Sequence, residues 1–594
     1  MKKREEIEEK YKWNLTEYSK SSEACEKELA DIQKKFSEIE KFENKLNSDE
    51  NIYACLKLES EISQVLSRLY VYSSLKLKEN AKNSKAVELS EKVGSVCVNF
   101  GTITSFIDVE IGELSNEKLK ALENNKNYPE FRTYFKAILR HKAHMLSKKE
   151  EKLLSQMGEF TSGFSDVFDM FDNADVKFED ALDSKGVPHK LTHATYSLLV
   201  ESADRELRKN AIINMNKAYG EYNNTIATNY INDVKVGTFF AKIRNYPSAL
   251  SASIYAEEAS EEVYKTLLEG VNNNLKVFHK YFDIKRRQLG QKTFALYDIY
   301  AKTCEDFEIK LSYEEALELV KEACKPLGEE YVSLLERAKK ERWIDVYENE
   351  GKDSGAFSWG AYGVHPVVLT NYVSNCNSVF TLAHELGHCM HTYYSNKNQP
   401  YEDAGYTIFV AEVASNVNEM LMLLYLSNKA KTKEEKIYYY DYLLSMFRGS
   451  VFRQTMFSEF EYFAHDTYEK TSALSKDILN DFYLELNKRY FGKDVEILDE
   501  IKYEWSRIPH FYSSFYVYKY ATGLISAMVI ARNIFSGKEN ARENYLKFLS
   551  LGSSLPPVEL LKIAGVNLED KHTFDEAFAF IDGILNDWNK LLEN

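Results

Sequence analysis

Apolar side chains recur every three to four positions along most of this chain, the spacing that gives a helix one buried face. From about Glu5 to Lys120 the pattern reads as successive amphipathic helices rich in Glu, Lys and Ser, with Leu56–Leu77 showing the clearest apolar stripe. Ser147–Met157 predicts another helix, opened by Ser147 and Glu150 at capping-box spacing, with Gly158–Gly163 as a loop or hinge after it. Asn173–Phe178 and the turn Gly186–Pro188 suggest a short extended excursion, and helical spacing resumes near Thr195. The rhythm breaks once more at Ile344–Tyr347, Gly351–Gly355, Ala356–Gly360 and Val367–Val373, which read as short strands joined by glycine turns. From there helices are expected to Asn594.

Composition supports a mainly α fold. Only 9 prolines and 24 glycines punctuate 594 residues, and both residue types interrupt helices. The length exceeds what one core supports. Turn signals between 185 and 205 therefore set a boundary between an N-terminal helical lobe, 1–195, and a second segment, 196–594.

The net charge of −16 argues against a nucleic-acid groove, which needs clustered cations to neutralise phosphates. The seven cysteines are scattered, odd in number and free of any CxxC pair, as in a reducing compartment. Residues 1–10 turn acidic where a signal peptide needs an apolar core. The most apolar later stretch, Ala521–Ala531, is about half the ~20 residues of a membrane span. The expectation is a cytoplasmic protein with no membrane and no nucleic-acid partner.

The chemistry concentrates at His384-Glu385-Leu386-Gly387-His388, an HExxH motif in an apolar, helix-compatible run. Residues four apart share a helix face, so His384 and His388 can converge on one Zn²⁺. Glu385 stands about 100° around the axis, beside the ion, where a general base belongs. Catalytic zinc takes a third protein ligand. His391 shares the face but lies about 10 Å along the axis from His384, too far for the same ion. The better candidate is Glu412, an acidic residue on an apolar face of a second helix, reached after a turn through the polar stretch Ser395–Asp403. Glu419, seven residues on, is placed to orient a ligand, whereas the position four after Glu412 is Asn416.

These segments resemble the M3 family of metallopeptidases, of the oligoendopeptidase F kind. The likeness spans nearly the whole chain: Tyr11–Leu15 (YKWNL), Asn173–Phe178 (NADVKF), Tyr246–Leu250 (YPSAL), Ala361–Pro366 (AYGVHP), the HELGH core, Phe409–Ser415 (FVAEVAS) and Ile508–Tyr512 (IPHFY). The resemblance implies a two-lobed, clam-like helical body around a deep channel, with a small sheet beside a thermolysin-like zinc site. It implies one zinc held by His384, His388 and Glu412, Glu385 as catalytic glutamate, and hydrolysis of internal bonds in short peptides by a zinc-activated water. It also implies a histidine and tyrosines on the substrate side. His510 matches, and Tyr512 and Tyr516 are the tyrosine candidates. If this segment is one helix, Tyr512, Tyr516 and Tyr520 form a stripe with Tyr518 on another face. The strand Val367–Val373 is a candidate to hold the peptide backbone by strand addition. Two rivals are a helical zinc carboxypeptidase, which would require a free substrate C-terminus, and a non-catalytic peptide binder, against which the intact Glu385 argues.

Overall fold

The structure is a computed structural model and describes residues 1–304 and 307–593. It is 71% helical with only small sheets, as the scarcity of helix breakers predicts. The chain forms two compact units, each built from three segments. The first comprises Met1–Ala143, Glu308–Tyr425 and Ile530–Val566, and the second His144–Phe307, Leu426–Val529 and Asn567 onward. Each unit therefore draws on residues from both sides of position 195. The last helix runs to Glu593, and Asn594 lies outside the described residues.

In the first unit, helices α1 (Asp49–Glu79) and α2 (Ser84–Thr104) lie side by side and cover the N-terminal segment. Trp13, Leu15 and Tyr18 share one apolar core with Leu66 and Leu69 of α1, Val93 of α2, and Val367 and Leu369. The Leu56–Leu77 stripe thus lies inside one 31-residue helix. The capping box at Ser147 is present, with the Ser147 N–H donating to Glu150 Oε2 at 2.9 Å. The helix it opens continues through Gly158 to Thr161, however, where a loop was expected. An internal glycine costs only ~1 kcal/mol, too little to end a helix alone.

The strands are short. β1 (Ala181–Leu182) and β2 (Pro188–His189) form a hairpin around the Gly186 turn. Asn173–Asp175 belong instead to a π-helical turn, Phe171–Asp175. β3 (Phe294–Ala295) pairs with β7 (Val495–Glu496), a contact between distant segments that no local pattern announces. The expected sheet before the HExxH helix consists of β4 (Ile344–Asp345), β5 (Phe357–Trp359) and β6 (Val367–Leu369) in the order β4-β6-β5. β6 is parallel to β4 and antiparallel to β5. Both of its edges are thus taken over 367–369, so strand addition cannot occur there, and β4 and β5 are the outer strands.

Asp345 on β4 ties the N-terminus to this sheet. Its carboxylate is 2% exposed and meets Arg4 Nη2 at 2.5 Å and Lys352 Nζ at 2.8 Å. It also accepts the Trp13 N–H at 3.3 Å. Burial pushes this carboxyl up, but Arg4 and Lys352 outweigh it and hold it below its ordinary value. Removing one member of a buried charge group strands the others. Asp345→Asn should therefore lower the unfolding free energy by ~3–5 kcal/mol, read from a denaturant titration. Adding Lys352→Met should recover part of the loss. An unchanged midpoint in Asp345→Asn would remove this role.

Candidate metal centre

HExxH lies in the middle of α3 (Cys376–Asn398), which starts at Asn375, whose Oδ1 accepts the Ser378 N–H at 2.9 Å. The helix outlasts expectation at its C-terminal end, since Ser395–Asn398 are still helical. It stops at Gln399 because the residue before Pro400 is driven out of helical geometry. The chain reverses over 399–407 through the short helix Tyr401–Ala404 and enters α4 (Ile408–Lys429). Among the described residues α4 is the one helix long and apolar enough to cross a membrane, but 61% of its apolar window is buried inside the protein.

α3 and α4 cross in backbone contact. A Cβ at Gly387 would stand 2.6 Å from Ala414 O and from Ser415 Cα, so only glycine fits. Asn418, fully buried, fixes the rotation of α4 by donating from Nδ2 to Ala383 O at 3.1 Å and accepting from Tyr331 Oη at 2.8 Å. Ser415 Oγ donates to Glu412 Oε2 at 3.0 Å. Glu412, Ser415, Asn418 and Glu419 fall on one face of α4, at helical steps of three, six and seven.

This crossing brings His384, His388 and Glu412 together, with one donor atom from each inside a 4.8 Å sphere of mutual distances. Glu412 Oε2 is 3.2 Å from His384 Nε2 and 3.5 Å from His388 Nε2. A tetrahedral ion with bonds of ~2.1 Å spaces its donors by about 3.4 Å, so the donor set fits zinc. His384 Nδ1 lies 2.5 Å from Glu419 Oε1. That contact fixes the ring and leaves Nε2 for the shared centre, as a carboxylate behind a metal-binding histidine does. Glu419, offered by the sequence only as an orienting group, is thus the supporting carboxylate that position 416 lacks. Ser415 and Asn418 were not anticipated. Their signal is the same-face recurrence after Glu412.

Burial opposes a charged His384, but Glu412 and Glu419 outweigh it and raise its pKa to about 10. Burial likewise pushes Glu412 up, yet His384 and His388 pull it well below the carboxylate range. Without metal the pair is an ion pair whose proton a metal must displace. The Glu412 side chain is 39% exposed, so the cost of burying it is not what accounts for its place on an apolar helix. Its donor position does. Glu385 is buried, and burial raises its carboxyl against the opposing pull of His384 and His388, which moves it toward the range of a general base. His391 stacks on Tyr406, centroids 3.8 Å apart and 7° from parallel. Burial lowers it to about 3, and it is outside the three-donor group.

The second unit holds His510, Tyr512 and Tyr516. Their segment is not one helix. A 3₁₀ turn spans Pro509–Tyr512, and a new helix begins at Tyr518. Between them Phe515 adopts φ +58°, with its N–H donated to the buried Glu461 Oε1 at 2.6 Å. The expected Tyr512–Tyr516–Tyr520 stripe is therefore broken. His510 Nε2 lies 3.4 Å from Tyr520 Oη, and Tyr516 sits 5.5 Å from Tyr520 by ring centroids. Tyr512 turns away, packing on Phe168 and accepting from Asn229 Nδ2 at 3.1 Å. Tyr518 is buried.

Residues 198–580 match the model of peptidase family M3, and residues 110–178 match that of oligopeptidase F. The chain is 37% identical to oligopeptidase PepF of Bacillus subtilis over 99% of its own length and 88% of that protein's. It is 36% identical to a Lactococcus lactis oligoendopeptidase F homolog over 100% and 99% of the two chains. The solved oligoendopeptidase F of Enterococcus faecium superposes with a TM-score of 0.72 at 30% identity, covering 96% of this chain and 98% of its own. With a histidine–histidine–carboxylate centre inside the matched segment, the chain belongs to peptidase family M3 as a metallopeptidase of the oligopeptidase F type.

Proposed function

We propose that this chain is a zinc-dependent oligoendopeptidase that hydrolyses internal bonds of short peptides in the cytoplasm. The observation that carries the reading is the convergence of His384 Nε2, His388 Nε2 and Glu412 Oε2, with Glu385 next to them in sequence. The names of the relatives, oligopeptidase and oligoendopeptidase, support short peptides as substrates. The division of the chain near 195, between the two family-model matches, is part of the same proposal.

A zinc ion held by His384, His388 and Glu412 supplies Lewis acidity. The remaining work falls to the protein. Glu385 accepts the proton of the attacking water, and the same carboxyl returns it to the leaving amine. His384 stays oriented through Glu419. His510 and Tyr516 are hydrogen-bond donors to the tetrahedral oxyanion, which they bind more strongly than the ground-state carbonyl. Tyr512, with its hydroxyl held by Asn229, supports the segment from behind.

Digestion of peptides read by mass spectrometry, with and without a chelator, tests the reading. Cleavage should be internal, chelator-sensitive and indifferent to amidation of the C-terminus. A requirement for a free C-terminus would make the chain a carboxypeptidase.

The ligand set predicts a ranking in metal content. His384→Ala, His388→Ala and Glu412→Ala should lose the zinc together with activity. Glu419→Gln should weaken zinc by about 10–100-fold, and His391→Ala should leave it in place. Full occupancy in Glu412→Ala would refute the third ligand.

Glu385→Gln should keep one zinc per chain while turnover falls by about 10²–10⁴, because an amide cannot take the proton. Loss of zinc in this variant would make Glu385 structural instead.

His510→Ala should retain zinc and fold while kcat drops about 10²–10³, with KM changing less. Tyr516→Phe should show a smaller loss of the same kind, and Tyr512→Phe less again. Near-normal turnover in His510→Ala would return this segment to ordinary packing.

A further inference from the structure

The second unit contains a partly buried charge cluster that does not balance. Helices α5 (Lys433–Phe447) and α6 (Arg453–Thr471) are joined by a five-residue π-turn, Arg448–Phe452. The Arg453 N–H donates to the Arg448 carbonyl and closes the turn. In an α-helix, residues five apart stand about 140° apart around the axis. The wider turn instead brings Arg448 and Arg453 to one side, where both line a cavity of ≈ 30 Å³ with Tyr196, Tyr300, Asn487 and Glu504. Single π-turns inside helices often mark functional positions.

Among the described residues Glu504 is the only carboxylate lining this cavity. One of its oxygens accepts from both Arg453 Nη2 at 2.8 Å and Arg507 Nη2 at 3.2 Å, and the other from Tyr483 Oη at 2.7 Å. Among the described residues Arg448 forms no ion pair. Its guanidinium lies over the Tyr300 ring, 4.6 Å from the centroid. The Nε atoms of Arg448 and Arg507 are buried without a partner. Neighbouring acids are already committed, Asp441 to Lys285 and Asp298 to Arg205 and Arg208. Three partly buried guanidinium groups therefore share one buried carboxylate, and charge left without a partner where water is scarce is costly. Burial pushes the Tyr300 phenol up, yet Arg448 and Arg453 outweigh it and bring it below its ordinary value.

We propose that this cavity binds one small monovalent anion, of chloride size, between Arg448 and Arg453. A site of ≈ 30 Å³ holds about two waters at ~10–15 Å³ each, enough for a chloride or bromide ion. The ion neutralises Arg448, the cation that Glu504 does not reach. It also firms the Arg453–Glu504–Arg507 link, three residues before His510. The site stands apart from the peptidase reading and does not depend on it.

The test uses the full-length, metal-loaded protein brought into sodium gluconate. Replacing gluconate by chloride or bromide at constant ionic strength should raise Tm saturably, as ligand binding to the folded state does. Crystals grown in bromide should show an anomalous peak between Arg448 and Arg453. Arg448→Met should fold, lose the halide-dependent shift, and be at least as stable as the parent in gluconate, since it removes the unpaired charge. A Tm indifferent to anion identity, a halide shift that survives in Arg448→Met, or a bromide-soaked cavity without a peak would each overturn the proposal. So would tyrosinate absorbance at neutral pH with no halide effect, because Tyr300 would then supply the negative charge itself.

Discussion

The contact of α3 and α4 at Gly387 is the constraint on which the metal centre depends. Two helices whose side chains interdigitate normally keep their axes 8–10 Å apart. Here a backbone carbonyl and a Cα occupy the space a Cβ would need. Only that approach lets a short carboxylate on α4 reach imidazoles on α3. A crossing alone leaves rotation free, and the buried Asn418 removes that freedom by bonding to the carbonyl of Ala383, one residue before His384. A single register then sets Glu412 against both histidines and Glu419 behind one of them. The β4-β6-β5 sheet, with the N-terminal segment anchored on Asp345, packs against α3.

What the sequence made legible follows from range. Helices, their caps and the HExxH face depend on residues three to seven apart, and these were readable from Leu56–Leu77, Ser147–Glu150 and His384–His388. Glu412 was readable because a catalytic metal lacks a ligand without it, and because an acid on an apolar helix asks for a reason. That reason was misjudged in one respect, since Glu412 is partly exposed. The pairing of β3 with β7 was not legible, because its partners are two hundred residues apart. Nor was the central place of β6, since strand order in a sheet is a tertiary choice. The helix through Gly158 and the left-handed Phe515 failed for opposite reasons. One internal glycine is too weak a breaker to end a helix, and nothing local to a phenylalanine announces that Glu461 holds it at positive φ.

The 41 tyrosines show how such a chain closes its core with polar tips inside. Tyr264, Tyr281 and Tyr483 are fully buried, and their hydroxyls donate to Ser458 O, Asp441 and Glu504. Each ring supplies apolar area while its hydroxyl is satisfied by an acceptor fixed on another segment. The hydroxyl of the half-buried Tyr512 works the other way and accepts from Asn229 Nδ2. The tyrosines that follow His510 are told apart by their contacts, Tyr512 held by Asn229 and Tyr516 packed against Tyr520.

Each of two partly buried ionic clusters carries a surplus of one charge, in opposite senses. Around His384 and His388, the carboxylates of Glu385, Glu412 and Glu419 outnumber the charge that two imidazoles can carry, and neutral imidazoles would leave the excess larger. Around Glu504, three guanidinium groups, which stay charged at any ordinary pH, outnumber a single carboxylate. Charge without a counter-charge is costly wherever water is scarce, and the surplus in each cluster sets the sign of the partner it takes. A surplus of carboxylate with imidazole nitrogens calls for a borderline-soft divalent cation, whereas a surplus of guanidinium calls for an anion. The net charge of −16 conceals both, since it sums over a surface that water already screens. The sign and size of a missing partner are instead set locally, by the donors that face it and the space left between them.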